Sequence, residues 1–91
     1  MDIRKEHLRI KAAGMINTLE RMSQKERQGL PSGHFARDYN TLRELVLRLE
    51  PSLQPVMPPD VPFDEDFNDL PLANYAEIEA YCRQIRGFLD T

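Results

Sequence analysis

Leu8-Arg9-Ile10-Lys11-Ala12-Ala13-Gly14-Met15-Ile16-Asn17-Thr18-Leu19-Glu20-Arg21-Met22 carries an apolar stripe at Leu8, Ala12, Met15, Leu19 and Met22. Steps of four and three residues return to the same side of a helix with 3.6 residues per turn, so the stretch reads as an amphipathic helix with one buried face. Extended outward, the helix covers about residues 3–28, roughly 39 Å at 1.5 Å per residue. Gly29 is its expected stop, because a glycine just past the last turn can take the left-handed conformation. Arg27, in that last turn, suits the negative end of the helix dipole.

Leu30-Pro31 then breaks the chain, and Ser32 is placed to cap a second helix over about residues 32–50. Phe35, Tyr39, Leu42, Val46 and Leu49 repeat the same spacing, Leu45 widens the face, and Pro51 ends the run. The short link between them makes the first two helices an antiparallel hairpin. A third helix is expected over about residues 74–90. Asn74 and Glu77 have capping-box spacing, Tyr75, Ile78, Cys82, Ile85 and Leu89 form the inner face, and Tyr81 and Phe88 flank it. Gly87 weakens the last turn, so this end is expected to fray unless it is packed.

Between the second and third helices, residues 51–73 follow different rules. Six prolines and five acidic residues fall within positions 51–71, which excludes regular helix over most of that stretch. Leu53, Val56, Met57, Val61, Phe63, Phe67 and Leu70 make it too apolar for a solvated linker. An ordered crossover strap lying across the helices in extended or polyproline form is therefore expected. The fold class that follows is all-α, a small three-helix bundle in one domain over residues 1–91: an antiparallel hairpin, a proline-rich acidic connector and a third helix.

Composition bounds the rest. The chain has 91 residues, 41% of them hydrophobic and 30% charged, enough for one core and a well-solvated surface. Residues 1–50 hold ten Lys/Arg against seven Asp/Glu and residues 51–91 hold two against eight, giving halves of +3 and −6 that are expected to fold against each other. A lone cysteine excludes a disulfide framework and fits a reducing compartment, and no apolar run reaches bilayer length, so a cytoplasmic location without membrane contact is expected.

No residue pattern supports catalysis, a metal or a cofactor. Asp64, Asp66 and Asn68 alternate as calcium ligands do, but Asp69 stands where such a loop needs glycine and Tyr75 where it needs glutamate. His7 and His34 lack zinc-ligand spacing. They would carry a phosphotransfer role only through nearby Lys11 and Arg37, which is the weakest alternative. Cys82 reads as a small core hydrophobe without a histidine base, and the four glycines form no phosphate loop. The cations of helix one allow a nucleic-acid-binding or regulatory reading, but Glu6, Glu20 and Glu26 interrupt any basic stripe.

What remains is a non-catalytic protein-interaction module, with self-association as one form. Its candidate partner contacts are Ile3, Ile10, Leu47, Phe63, Phe67 and Leu70. Ile3 and Ile10 point away from the stripe of helix one, and Leu47 turns from the inner face of helix two. Phe63, Phe67 and Leu70, spaced i, i+4, i+7, can share one short helical turn that docks on the protein's own helices or on a partner.

Overall fold

In a computed structural model, which describes residues 3–90, helix α1 spans Ile3–Glu20, α2 Gln24–Arg27, α3 Gly33–Leu49 and α4 Tyr75–Leu89. The chain is all-α, and α1, α3 and α4 form a three-helix bundle. Each long helix buries the middle of the stripe its spacing predicts: Leu8, Ala12, Met15 and Leu19 on α1, Tyr39, Leu42 and Val46 on α3, and Ile78, Cys82, Ile85 and Leu89 on α4. Met22, Phe35, Leu49 and Tyr75, at the ends of those stripes, are only half-buried, and Leu45 is exposed. Ile16 and Ala36 join the buried set, because a helix wedged between two others needs a wider apolar face than a single seam.

The first helix is shorter than its periodicity implies. It ends at Glu20, and the chain turns through residues 21–23 before the single turn of α2. The cause is a capping box: Ser23 is extended, its hydroxyl accepts from the Glu26 amide at 3.2 Å, and the Glu26 carboxylate accepts from the Ser23 amide at 3.4 Å. Arg27 still serves the end of α1, since its Nε donates to the Leu19 carbonyl at 3.1 Å from the turned-back α2. Gly29 does not take the left-handed conformation, as no glycine here has positive φ. Its amide instead closes a turn onto Glu26.

Ser32 caps α3 through the Phe35 amide, and Asn74 with Glu77 forms the expected capping box on α4. The C-terminal end of α4 is packed, with Leu89 buried despite Gly87. The start of α1 lies beside the end of α4, where Arg9 meets Asp90 at 3.0 Å, and beside the end of α3 near Leu45 and Leu49. Phe35 meets Tyr75 at 5.4 Å between ring centres and Tyr39 meets Tyr81 at 5.7 Å, which aligns the starts of α3 and α4. Helix α1 is thus antiparallel to both others, while α3 and α4 run parallel.

Parallel neighbours force the connector to carry the chain back along α3, about 25 Å for 17 residues. It begins as a 3-10 helix over Pro51–Val56, continues extended, and closes in a hairpin of β1 (Phe63–Asp64) and β2 (Leu70–Pro71) around a 3-10 turn at Glu65–Phe67. The strands are antiparallel, with Phe63 opposite Pro71 and Asp64 opposite Leu70. Asn68 and Asp69, both at φ 55°, reverse the chain in the left-handed region that short polar side chains tolerate best after glycine. Phe63, Phe67 and Leu70 therefore do not share a helical turn, because the reversal separates them.

Three side chains of α3 hold the strap by its backbone. Tyr39 Oη donates to the Pro59 carbonyl at 2.7 Å and Arg43 Nε to the Pro58 carbonyl at 2.7 Å. Asn40 donates to the Val61 carbonyl at 2.9 Å and accepts from the Val61 amide at 2.7 Å, replacing the ladder partner a strand would have given. Val61 is buried by this clamp, and Leu53, Met57 and Phe63 pack partly against the core.

Candidate functional site

The oppositely charged halves meet in part. Arg9–Asp90 and Arg27–Glu79 join them in the expected sense, whereas Arg83–Glu20 at 3.0 Å joins them in the reverse sense. Arg27 lies 3.4 Å from a Glu79 carboxylate that is only 14% exposed, and this pair anchors α2 to α4. The hairpin acids stay outside these pairs: Asp60, Glu65, Asp66 and Asp69 make no ion pair among the described residues. These acids are thus left without a cation in ion-pair contact.

Apolar side chains collect at the hairpin end. Phe67 is 65% exposed, Leu30 and Leu72 56%, and Leu70 43%. With Pro71 and Ala73 they line a groove of about 380 Å³ between the α2–α3 link and the hairpin, edged by Asp64 and Glu77. The surface is held by backbone bonds. The Leu72 amide donates to the Pro62 carbonyl, the Tyr75 amide to the Gly29 carbonyl, and the Ser32 amide to Tyr75 Oη at 3.3 Å. Large side chains exposed on an ordered framework are preorganised for contact, since little entropy is left to lose on docking.

Of the sequence-derived contact residues, Phe67 and Leu70 are brought together here. Phe63 is not part of the surface: it is half-buried against the core, with the Arg37 guanidinium 5.0 Å above its ring. Leu47 is half-buried on α3. Ile3 and Ile10 are exposed on α1, far from the hairpin, and Ile10 lies in a shallow groove beside the Arg9–Asp90 pair. Sequence reasoning missed Leu30 and Leu72. Their signal was position, since each adjoins a proline (Leu30-Pro31 and Pro71-Leu72) that holds the backbone out of the helical stripes.

Among the described residues, no group of three or more His, Cys, Asp or Glu side chains is placed to hold a metal ion. His34 stands almost fully exposed, 3.6 Å from Asp38. The Cys82 thiol is buried on the inner face of α4, and burial, then the nearby Glu79 carboxylate, pushes its pKa up to about 12. Because the folded state holds this proton more tightly than the unfolded chain, the associated stability is complete below the ordinary value of 9.0 and is lost as pH rises toward about 12. Two results are expected: negligible reaction of the native protein with a thiol reagent at pH 8, with full reaction in denaturant, and a melting temperature that falls above about pH 9 less steeply in Cys82→Ala than in the wild type. Rapid native-state labelling would contradict the burial.

Among the described residues, no helix is long and apolar enough to cross a membrane. Compared with models of known protein families, with curated proteins and with solved structures, the chain finds no match in any of the three.

Proposed function

We propose that this chain is a non-catalytic protein-interaction module whose contact surface is the hairpin end of the bundle. One observation carries the reading: Leu30, Phe67, Leu70 and Leu72 are exposed together around a single groove, on backbone that is already ordered. An aromatic and three leucines supply apolar area that water solvates poorly, and such centres dominate binding energy where a polar rim excludes solvent. The rim here is acidic, through Asp64 and Glu77 with Asp66 and Asp69 close by in sequence. The fitting partner surface is apolar at its centre and cationic at its edge. A reducing, cytoplasmic setting suits the unpaired, buried Cys82.

Selection from a displayed random-peptide library tests this reading. The wild type is expected to enrich peptides that combine large apolar residues with Lys or Arg. Phe67→Asp is expected to abolish the enrichment while leaving the melting temperature within a few degrees, because Phe67 contributes little to the core. Enrichment that survives Phe67→Asp, or no enrichment by the wild type, would remove the hairpin end as the contact surface.

A further inference from the structure

A second groove, of about 290 Å³, lies at the opposite end of the bundle, between the first turns of α1 and the last turns of α3. Its walls are Leu8, Leu45 and Leu49, and its rim is Arg4, His7 and Arg48. Leu45 is left exposed there and Leu49 half-exposed, although both belong to the apolar face of α3. The groove therefore has the character the hairpin end calls for, an apolar centre with a cationic edge. Arg48 already touches Glu44 at 2.6 Å, but that exposed pair occupies one of its five N–H donors, and surface pairs of this kind are readily shared.

Resting on the reading of the hairpin end as a docking surface, we infer that its partner is a second copy of this chain, bound head to tail, with the Phe67 tip of one molecule seated between Leu8, Leu45 and Leu49 of the next. Charge complementarity selects this occupant. Residues 60–70 carry five acids and no base, whereas the receiving rim carries the arginines Arg4 and Arg48. The two surfaces lie at opposite ends of a molecule 41 Å long, so a chain that uses both engages its copies head to tail, either with a different neighbour at each end or with one antiparallel neighbour across a two-fold axis. With a different neighbour at each end the contacts continue into rings or filaments, whereas the antiparallel pair closes as a dimer. Each surface is small, which places the contact among weak, salt-sensitive associations.

Sedimentation velocity of the full chain, from low micromolar to millimolar concentration, reads this directly. The expected result is a sedimentation coefficient that climbs above the monomer value at low salt and returns to it in molar salt. Arg48→Glu and Asp66→Arg, both exposed positions, are each expected to weaken association by about tenfold or more. Mixing the two variants is expected to restore it. The unaltered hairpin of the Arg48→Glu chain then meets the unaltered groove of the Asp66→Arg chain, a rescue that an interface not joining hairpin to groove does not provide.

A monomer at every concentration in low salt overturns the head-to-tail inference. So does a dimer indifferent to both substitutions, which would instead point to a symmetric contact such as the Ile3 and Ile10 face. Neither result touches the peptide selection, whose loss with Phe67→Asp reports on the hairpin surface alone.

Discussion

Tyr39→Ala is expected to remove about 3–5 kcal/mol of stability, the range typical of deleting a buried aromatic ring. The ring is fully buried at the centre of α3, 5.7 Å from Tyr81, and lies between the helical core and the returning strap. A domain of this size has about 5–14 kcal/mol in all, so the variant is expected to be marginal or unfolded at 37 °C. Tyr39→Phe separates the two contributions. It keeps the ring and loses only the part-buried 2.7 Å bond to the Pro59 carbonyl, so about 0.5–1.5 kcal/mol is expected. Urea unfolding of both variants checks the pair. A loss under about 1 kcal/mol for Tyr39→Ala would place the ring outside the core. Burial also raises the phenol's pKa, the larger cause being desolvation, so stability tied to the protonated phenol is present at neutral pH and is lost as pH climbs above 10.0.

Asn40→Ala is the next largest. Val61 is buried, and both its amide and its carbonyl are satisfied by the one Asn40 side chain. Removing that side chain strands a donor and an acceptor, at about 1–3 kcal/mol for each group left unsatisfied, so about 2–4 kcal/mol is expected once partial hydration is allowed for. Asn40→Asp keeps the acceptor for the Val61 amide but turns a carboxylate toward the Val61 carbonyl, and a loss of similar size is expected. The local signature is more telling than the total. Hydrogen exchange at Val61 and Leu72 is expected to accelerate well beyond exchange in α1 and α4, because the strap can lift while the helices stay packed. Unchanged protection at Val61 would show that the prolines alone hold the strap in place.

Some residues were legible in advance because their position follows from spacing along one helix. Leu8, Ala12, Met15 and Leu19 recur on one face whatever they pack against, and Asn74 with Glu77 closes a helix start using only neighbours in sequence. Ser23 and Glu26 carry the same capping signal, yet the apolar spacing runs on through Met22 and masks the break. Ile16 lies one step off the drawn stripe and is buried because α1 touches two helices rather than one. In the strap, Val61, Phe63 and Phe67 are equally apolar as residues. Their fates differ because Val61 meets the Asn40 amide, Phe63 meets Arg37, and Phe67 follows a chain reversal that carries it clear.

Periodicity and end caps act over three or four residues, so the three long helices, their inner faces and the need for a crossover were determined by the sequence itself. The antiparallel setting of α1 against α4, the seat of the strap and the gathering of Leu30 with Phe67 and Leu72 depend on groups some 20 to 80 positions apart. An extended, proline-rich segment has no helical repeat to mark its buried side. Only the polar side chains of α3 that receive its carbonyls decide which of its residues are covered and which remain in water.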